Sequence, residues 1–308
     1  MIEVLIPILA GTLAAATPLI YAGLGELVAE RSGVINLGVE GMMLIGAVAG
    51  FAAAVETGGG AGVGFLAGAA AGTLAALCFA VITLSLAANQ SAAGLALTIF
   101  GIGLSAFIGQ HYVSHSLPGL KPVALPLLSS IPLIGPVFFK QDMGVYLSFV
   151  FFGIVWWVLA KTKLGLMLRA VGESPESAHA LGFPVFAIRY GAVLFGGAMA
   201  GIAGAYLSTV YTPLWVQNMS AGRGWIAVAL VVFATWKPGR LLLGAWLFGG
   251  VTILQFHAQA LGVRLPSQLL SALPYIATIV VLVLISRDRK LLQLNLPASL
   301  GKSFVPGR

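Results

Sequence analysis

The stretch "VGFLAGAAAGTLAALCFAVITLSL", residues 63–86, contains no charged side chain. An apolar run of about 20 residues can cross the hydrocarbon core of a bilayer as a helix, because each helical residue advances about 1.5 Å. The rest of the chain has the same character: 59% of its 308 residues are hydrophobic, 8% are charged, and the mean hydropathy is +1.02. A soluble domain needs far more polar surface than this. The sequence therefore predicts an integral membrane protein.

Apolar runs of this kind recur along the chain, although the seventh is short. The candidate spans are 4–26, 36–56, 63–86, 91–112, 144–160, 188–211, 224–236, 241–259 and 269–286. The first is longer than a signal-peptide core and follows Glu3 without a Lys or Arg, so we expect it to be retained. The prediction is an all-α polytopic bundle of about nine spans, in a range of eight to ten, forming one transmembrane domain over residues 1–308.

The orientation follows from the distribution of Lys and Arg, which favour cytosolic loops. With nine spans, an outer N-terminus and a cytosolic C-terminus, twelve of the sixteen Lys and Arg residues are cytosolic. They are Arg31, Lys161, Lys163, Arg169, Arg189, Lys237, Arg240, Arg287, Arg289, Lys290, Lys302 and Arg308. Lys121, Lys140, Arg223 and Arg264 lie outside. The cytosolic side then holds a loop at 161–189 and a tail at 287–308, and the outer side holds a proline-rich loop at 113–143. The net charge of +7 is explained by this topology and by contact with anionic lipid, so no nucleic-acid partner is expected.

Glycines at four-residue spacing within the third run, Gly64, Gly68 and Gly72, fall on one helix face. Small residues let membrane helices approach closely, so this stripe predicts a seam between two helices. The single cysteine, Cys78, excludes an intramolecular disulfide.

Sequence patterns of enzyme chemistry are missing. The chain has no H-E-x-x-H, no G-x-S-x-G and no histidine cluster. The "GKS" at 301–303 is not a phosphate-binding loop, because Leu296 stands where that loop requires glycine. We predict no catalytic residue, no bound metal and no cofactor of the chain's own; any ATP is bound by a partner.

A polar stretch, "VGESPESAHALGF" at 171–183, interrupts this apolar sequence. Ser174 suits a helix N-cap, Pro175 the first helical position and Gly182 the left-handed position after the last turn. These signals predict a helix at 175–181, which is too short to be stable alone in water. It either seals the bundle or docks a partner, and Ala178 would then be a small docking contact.

Three stretches carry a resemblance to a known family: "GELVAERSGVINLGVEGMMLIGA" at 25–47, "LGLMLRAVGESPESAHALGFPV" at 164–185 and "GRGWIAVALVVFATWKPGRLLLGAWLFGG" at 222–250. They resemble permease subunits of ATP-binding-cassette (ABC) importers in the ribose and branched-chain amino acid permease superfamily, nearest to its nucleoside and simple-sugar branch. The resemblance implies that the short helix is the coupling helix that docks on the ATPase. Its residues are Glu173, Ser174, Pro175, Glu176, Ser177, Ala178, His179, Ala180, Leu181 and Gly182. His179 departs from the Arg, Lys or Asp expected there.

The same resemblance implies an assembly in a bacterial inner membrane. Its partners are a cytosolic ABC ATPase pair, a second permease that is usually a related but different chain, and an external binding protein or lipoprotein. One helix of the family fold is broken near the membrane centre. A branched-chain amino acid permease is the nearest alternative; a secondary transporter would need intramembrane ionisable pairs, which the predicted spans nearly lack.

Polar residues inside spans usually face a cavity or the bundle interior, and they are the candidates for the substrate pathway. They are Asn36, Glu40, Asn89, Gln90, Gln255 and His257. Each has a structural alternative. For Glu40, about 6 Å inside the second span, the alternatives are snorkelling to the interface or accepting a backbone donor. For Asn89 and Gln90 the alternative is capping of the helix after a cytosolic turn. Gln255 and His257 are expected in the outer half of the eighth span.

Overall fold

Helices form almost all of the regular structure in a computed structural model that describes residues 2–132, 134–260, 267–286 and 295–305. They are α1 (Ile2–Arg31), α2 (Val39–Thr57), α3 (Gly60–Ala80), α4 (Gln90–Gly109), α5 (Ile134–Phe138), α6 (Met143–Lys161), α7 (Lys163–Glu173), α8 (Pro175–Ala180), α9 (Val185–Tyr206), α10 (Arg223–Phe233), α11 (Pro238–Ala260) and α12 (Ser267–Ser286). Wider turns extend α3 through Val81–Ser85 and α9 through Leu207–Tyr211. Two short antiparallel strands, β1 (Val123–Ala124) and β2 (Lys140–Gln141), pair in the predicted outer loop. The all-helical prediction is confirmed.

Seven helices within the described residues are long and apolar enough to cross a membrane. The short seventh run of the sequence forms α10, whose 11 residues extend only about 16 Å, half of the hydrocarbon thickness. The ninth run forms α12, which is not among the seven. A count of nine spans therefore remains a prediction, because it requires α10 and α12 to complete crossings.

One end of the bundle collects the segments that the charge pattern assigns to the cytosol. The Arg31 guanidinium donates to the carbonyl of Trp236, between α10 and α11. Ser303 reaches the carbonyl of Ala87, between α3 and α4. Residues 295–305 also pack here against α7–α9; Arg264, Arg287, Arg289, Lys290 and Arg308 lie outside the described residues. The chain thus places these loops at a common end, and the assignment of that end to the cytosol stays a prediction.

The centre of the bundle is built from α1, α2, α3 and α9, where glycines allow backbones to touch. The glycine stripe of α3 meets α9: a Cβ at Gly68 would lie 2.7 Å from the Gly201 carbonyl, and one at Gly72 would lie 2.8 Å from the Gly201 Cα. In return, a Cβ at Gly201 would collide with the Gly68 carbonyl. This confirms the predicted seam, since such contacts exclude any larger residue.

Two helices begin inside the bundle rather than at its surface. After α1, residues 32–38 run inward before α2 starts; after α9, residues 212–222 run inward from the opposite end before α10 starts. The far end of α2 lies beside Tyr112, whose hydroxyl donates to Glu56, whereas the far end of α10 lies beside Glu30 through Trp236. The first residues of α2 and of α10 therefore lie close together inside the bundle, and the two helices run from there towards opposite ends.

Candidate functional site

The start of α2 lies level with the middle of the neighbouring α4, a helix long enough to cross a membrane. Gly41 packs on the backbone of Thr98 and Gly101, and Gly101 is the midpoint of the membrane-length helix Gln90–Tyr112. Glu40 is therefore about 16 Å from the end of α4, not the 6 Å estimated from the sequence. The estimate was wrong because it assumed helix from residue 36, whereas residues 32–38 are an irregular segment that covers this distance.

The Glu40 carboxylate joins the starts of α2 and α10. One oxygen accepts hydrogen bonds from the Ser220 hydroxyl at 2.6 Å and the Gly222 N–H at 2.8 Å, and the other accepts from the Gly224 N–H at 2.6 Å. The first N–H groups of a helix lack intrahelical acceptors and carry partial positive charge, so a carboxylate there is well stabilised. Glu40 thus accepts backbone donors, which is the structural alternative foreseen for it.

Two more of the predicted pathway residues stabilise the irregular segment. The Asn36 N–H donates to Glu26 at 2.9 Å, and its side-chain oxygen accepts from the Gly38 N–H at 2.9 Å. Gln90 accepts from the Ile35 N–H at 2.9 Å. These hydrogen bonds lie in the interior, since the side chains of Asn36 and Gln90 are 1% and 2% exposed. Asn36 and Gln90 therefore belong to a buried hydrogen-bond network around residues 32–38, and Glu40, which follows this segment, bonds instead to the start of α10.

The other three predicted residues are not part of that network. Asn89 caps α4 by accepting from the Ala92 N–H at 3.0 Å, as its position after a turn suggested. His257 contacts the carbonyl of Ile253 one turn earlier in α11, and Gln255 is buried in the same helix. Because Ile253 packs on Gly11, these two lie near the opposite end of α1 from Glu26.

An exposed polar and aromatic surface flanks the start of α10, and the sequence did not single it out. Gln217 and Asn218 are exposed, and the Trp225 indole is 39% exposed. Arg223 lies over the ring of Tyr211, with 5.9 Å to its centroid, and donates to two carbonyls of the preceding turn. Arg223, predicted in an outer loop, is thus level with Glu40, because α10 is a half-length helix. A break in hydropathy before a short apolar run was the available signal.

Two buried carboxylates on α1 were also missed. Glu26 and Glu30 are each 1% exposed; Glu26 accepts from Asn36, and Glu30 accepts from the Trp236 indole at 2.6 Å. The predicted first span ended at residue 26, whereas α1 continues to Arg31. The four-residue spacing of the two glutamates, which puts both on one helix face, was the signal.

The predicted coupling element forms the short helix α8 with the expected boundaries. Ser174 accepts from the Ser177 N–H at 3.3 Å, Pro175 is the first helical residue, and Gly182 adopts the left-handed conformation with φ +85°. Ala178 is 2% exposed and packs with Val171, Val185 and Phe304, so it is not available as a docking contact on this surface. The outward-facing residues are Glu176, Ser177, His179, Ala180 and Leu181, the last 77% exposed.

Residues 295–305 hold α8 in place, which gives a marginal helix the support that it needs. Phe304 packs edge-on against the His179 ring, with centroids 5.6 Å apart. The Arg189 guanidinium, 1% exposed, donates to the Ser299 hydroxyl, the Lys302 carbonyl and the Ser32 carbonyl. One side chain therefore connects the start of α9 and the C-terminal segment with residue 32, where the irregular segment begins.

A bundle of membrane-length helices with broken helices at its centre and a supported polar helix at one end has the construction of a membrane permease. The chain belongs to the family described as "Branched-chain amino acid transport system / permease component", which matches residues 8–285. It is an integral membrane permease subunit of an ABC transporter.

Curated relatives cover nearly the whole chain. A putative glucose ABC transporter permease of Haloferax volcanii is 42% identical, over 96% of this chain and 97% of its own length. A nucleoside ABC transporter permease of Lactococcus lactis is 35% identical over 90% and 91%, and a guanosine ABC transporter permease of Bacillus subtilis is 32% identical over 92% of each. ABC permeases work with an ATPase and a substrate-binding protein.

Proposed function

We propose that this chain translocates a neutral polar solute, a nucleoside or a simple sugar, as one of two related but different permeases in an importer. The observation that carries the solute class is the 42% and 35% identity, over at least 90% of the chain, to relatives named for glucose and for nucleosides. The family description also names branched-chain amino acids, which keeps that class as the alternative.

The hydrogen bonds of Glu40 favour a neutral solute over an amino acid. In many transporters the start of a broken helix faces the substrate and its free N–H groups attract an anionic group. Here the Glu40 carboxylate occupies the N–H groups of Gly222 and Gly224. These two N–H groups are therefore not available to an amino-acid carboxylate, and Arg223 is the cation that remains beside them.

The pathway that we propose runs along the exposed surface beside the start of α10. Gln217 and Asn218 supply amide donors and acceptors, and Trp225 supplies an aromatic face on which a base or a sugar ring stacks. The earlier candidates Asn36, Glu40 and Gln90 then act indirectly, by fixing the two broken helices. Gln255 and His257 remain candidates for the outer part of the pathway.

Coupling to the ATPase is assigned to the outward face of α8. Leu181, His179 and Glu176 offer an apolar, an aromatic and an acidic contact on a helix that the C-terminal segment supports. A displacement of α8 by the ATPase would pass through Ser299 and Arg189 to residue 32 and from there towards Glu40. This chain of contacts links the docking surface to the broken centre.

ATP-driven uptake by the reconstituted transporter tests the proposal. Permeases, ATPase and binding protein are assembled in proteoliposomes, and uptake of labelled guanosine, glucose and leucine is compared with and without ATP. We expect transport of guanosine or glucose and none of leucine. Leucine transport without either of the others would establish the alternative, and uptake that needs an ion gradient but no ATP would refute the ABC mechanism.

A further inference from the structure

A basic pocket of about 400 Å³ lies at the predicted cytosolic end, between α6, α7 and the turn that joins α10 to α11. Four cationic side chains line it: Arg31, Arg169, Lys237 and Arg240. Arg31 and Arg169 also line a neighbouring pocket with Glu173, an acidic residue close to this cluster. Among the described residues, these four cations outnumber the two acids near them, Glu173 and the buried Glu30, which leaves a positive potential at this surface.

The hydrogen bonds of these cations do not neutralise them. Arg31 donates to the carbonyl of Trp236 at 2.8 Å, Arg240 donates to the Thr235 hydroxyl at 2.6 Å, and Arg169 donates to the carbonyl of Gly165 at 3.2 Å. All three acceptors are neutral. The pocket therefore retains capacity for a phosphate, which arginines bind through paired N–H groups.

The other side of the pocket is lined by exposed apolar side chains. Trp156 of α6 is 50% exposed and Leu243 of α11 is 63% exposed, with Leu159 and Ala160 between them on the pocket wall. A tryptophan of this kind is typical of the membrane–water interface. A ligand here meets charge on one side and hydrocarbon on the other.

We propose that this pocket binds an anionic phospholipid of the cytosolic leaflet, with its phosphate among Arg169, Lys237 and Arg240 and an acyl chain along Leu243 and Trp156. Basic pockets between membrane helices on the cytosolic side are known to take such head groups. The lipid would contact the Trp236–Arg240 turn and α7, which leads directly into the coupling helix. The inference rests on the predicted orientation and is independent of the transported solute.

Lipid titration of the purified chain in mild detergent tests this inference. Phosphatidylglycerol, phosphatidylcholine and inorganic phosphate are compared by native mass spectrometry and by the shift in Tm. We expect phosphatidylglycerol to remain bound and to raise Tm, and the other two to do neither. Equal binding of phosphatidylcholine would overturn the proposal, and stabilisation by inorganic phosphate alone would identify a simple anion site instead.

Matched variants separate this pocket from general surface charge. Arg169→Gln with Lys237→Gln removes two exposed cations of the pocket; Lys161→Gln with Lys163→Gln removes two exposed cations of the same end that do not line it. Since each cation near a membrane surface contributes about fivefold to anionic-lipid affinity, we expect the first pair to lower phosphatidylglycerol binding by about twenty-five-fold and the second to change it little. An equal loss in both would overturn the site. Unchanged lipid binding with lost ATPase association would assign the pocket to a protein partner.

Discussion

Glu40 shows how one side chain can define the centre of a membrane protein. A buried carboxylate is costly unless its oxygens are hydrogen-bonded, and Glu40, 3% exposed, accepts three short hydrogen bonds from residues 180 or more positions away. Two of the donors are free N–H groups at the start of α10. The carboxylate and the helix start therefore stabilise each other, and neither would be stable at this depth alone.

Replacing Glu40 with glutamine tests this interdependence. The amide keeps one acceptor oxygen but loses the charge and presents an NH₂ group to the Gly224 N–H. We expect a loss of about 1–3 kcal/mol in stability, seen as a lower Tm in detergent. Glu56→Gln is the control, since Glu56 lies on the same helix but is exposed, and its replacement should change Tm little. Equal effects of the two variants would contradict the role given to Glu40.

At the scale of the elements, glycine determines which helices touch. The seam between α3 and α9 places backbone against backbone, so its energy comes from many close van der Waals contacts and not from burial of apolar area, for which lipid is an equal partner. Gly62 and Gly103, by contrast, face open space. The helix face on which a glycine lies, and not the number of glycines, therefore decides whether that glycine makes a close backbone contact.

Gly72→Leu and Gly62→Leu form a matched pair on α3. The first places a side chain against the backbone of Gly197 and Gly201, and the second meets nothing within 4 Å. We expect Gly72→Leu to prevent stable folding, since the rigid seam cannot open, and Gly62→Leu to express as the wild type does. Size-exclusion profiles of fluorescent fusions distinguish the outcomes. A monodisperse Gly72→Leu protein would disprove the seam.

The helix α8, proposed as the coupling helix, gives a second test at this scale. Leu181→Asp changes an exposed apolar contact, so the chain should fold normally but lose co-purification with the ATPase and ATP-driven uptake. Leu120→Asp, on the outer loop, is the control and should retain both. Ala178→Trp should fail differently, by lowering Tm, because it overfills the cluster with Val171 and Phe304. Retained ATPase association in Leu181→Asp would make α8 a seal of the bundle.

At the scale of the whole molecule, the distribution of Lys and Arg along the chain and the contacts between loops place the same segments at one end of the bundle. The charge pattern groups Arg31, Lys161–Arg189, Lys237 and Lys302 on the cytosolic side, and the structure brings the same segments together. The outer loop and the end of α2 lie at the other end, where Tyr112 meets Glu56. The two kinds of observation therefore agree that these segments share one end of the bundle, and the assignment of that end to the cytosol stays a prediction.

Cysteine labelling tests this topology in intact cells. Cys78 is exposed and is first replaced by alanine. A cysteine at Ser177, in α8, should react only with a membrane-permeant reagent, and one at Ser130, in the outer loop, should also react with an impermeant one. Both positions are exposed on this chain, and expression without the ATPase leaves α8 uncovered, so a failure to react would not be due to burial. Reaction of both from the same side would refute the predicted orientation.

Local patterns determined a large part of this protein. Runs such as residues 63–86 predict the membrane helices, the Gly64–Gly68–Gly72 spacing predicts a seam, and the Ser174, Pro175 and Gly182 signals predict α8. Each of these patterns is carried by residues close in sequence, whereas the choice of α9 as the partner of the seam depends on distant residues. The tertiary structure alone decided the rest. That Glu40 lies level with the middle of α4, that α10 is a half-length helix and that Ala178 is covered by Phe304 all depend on contacts between distant segments. Hydropathy predicts whether a residue leaves water. It does not predict which backbone groups at the end of a broken helix lack a hydrogen-bond partner, or which distant side chain bonds to them.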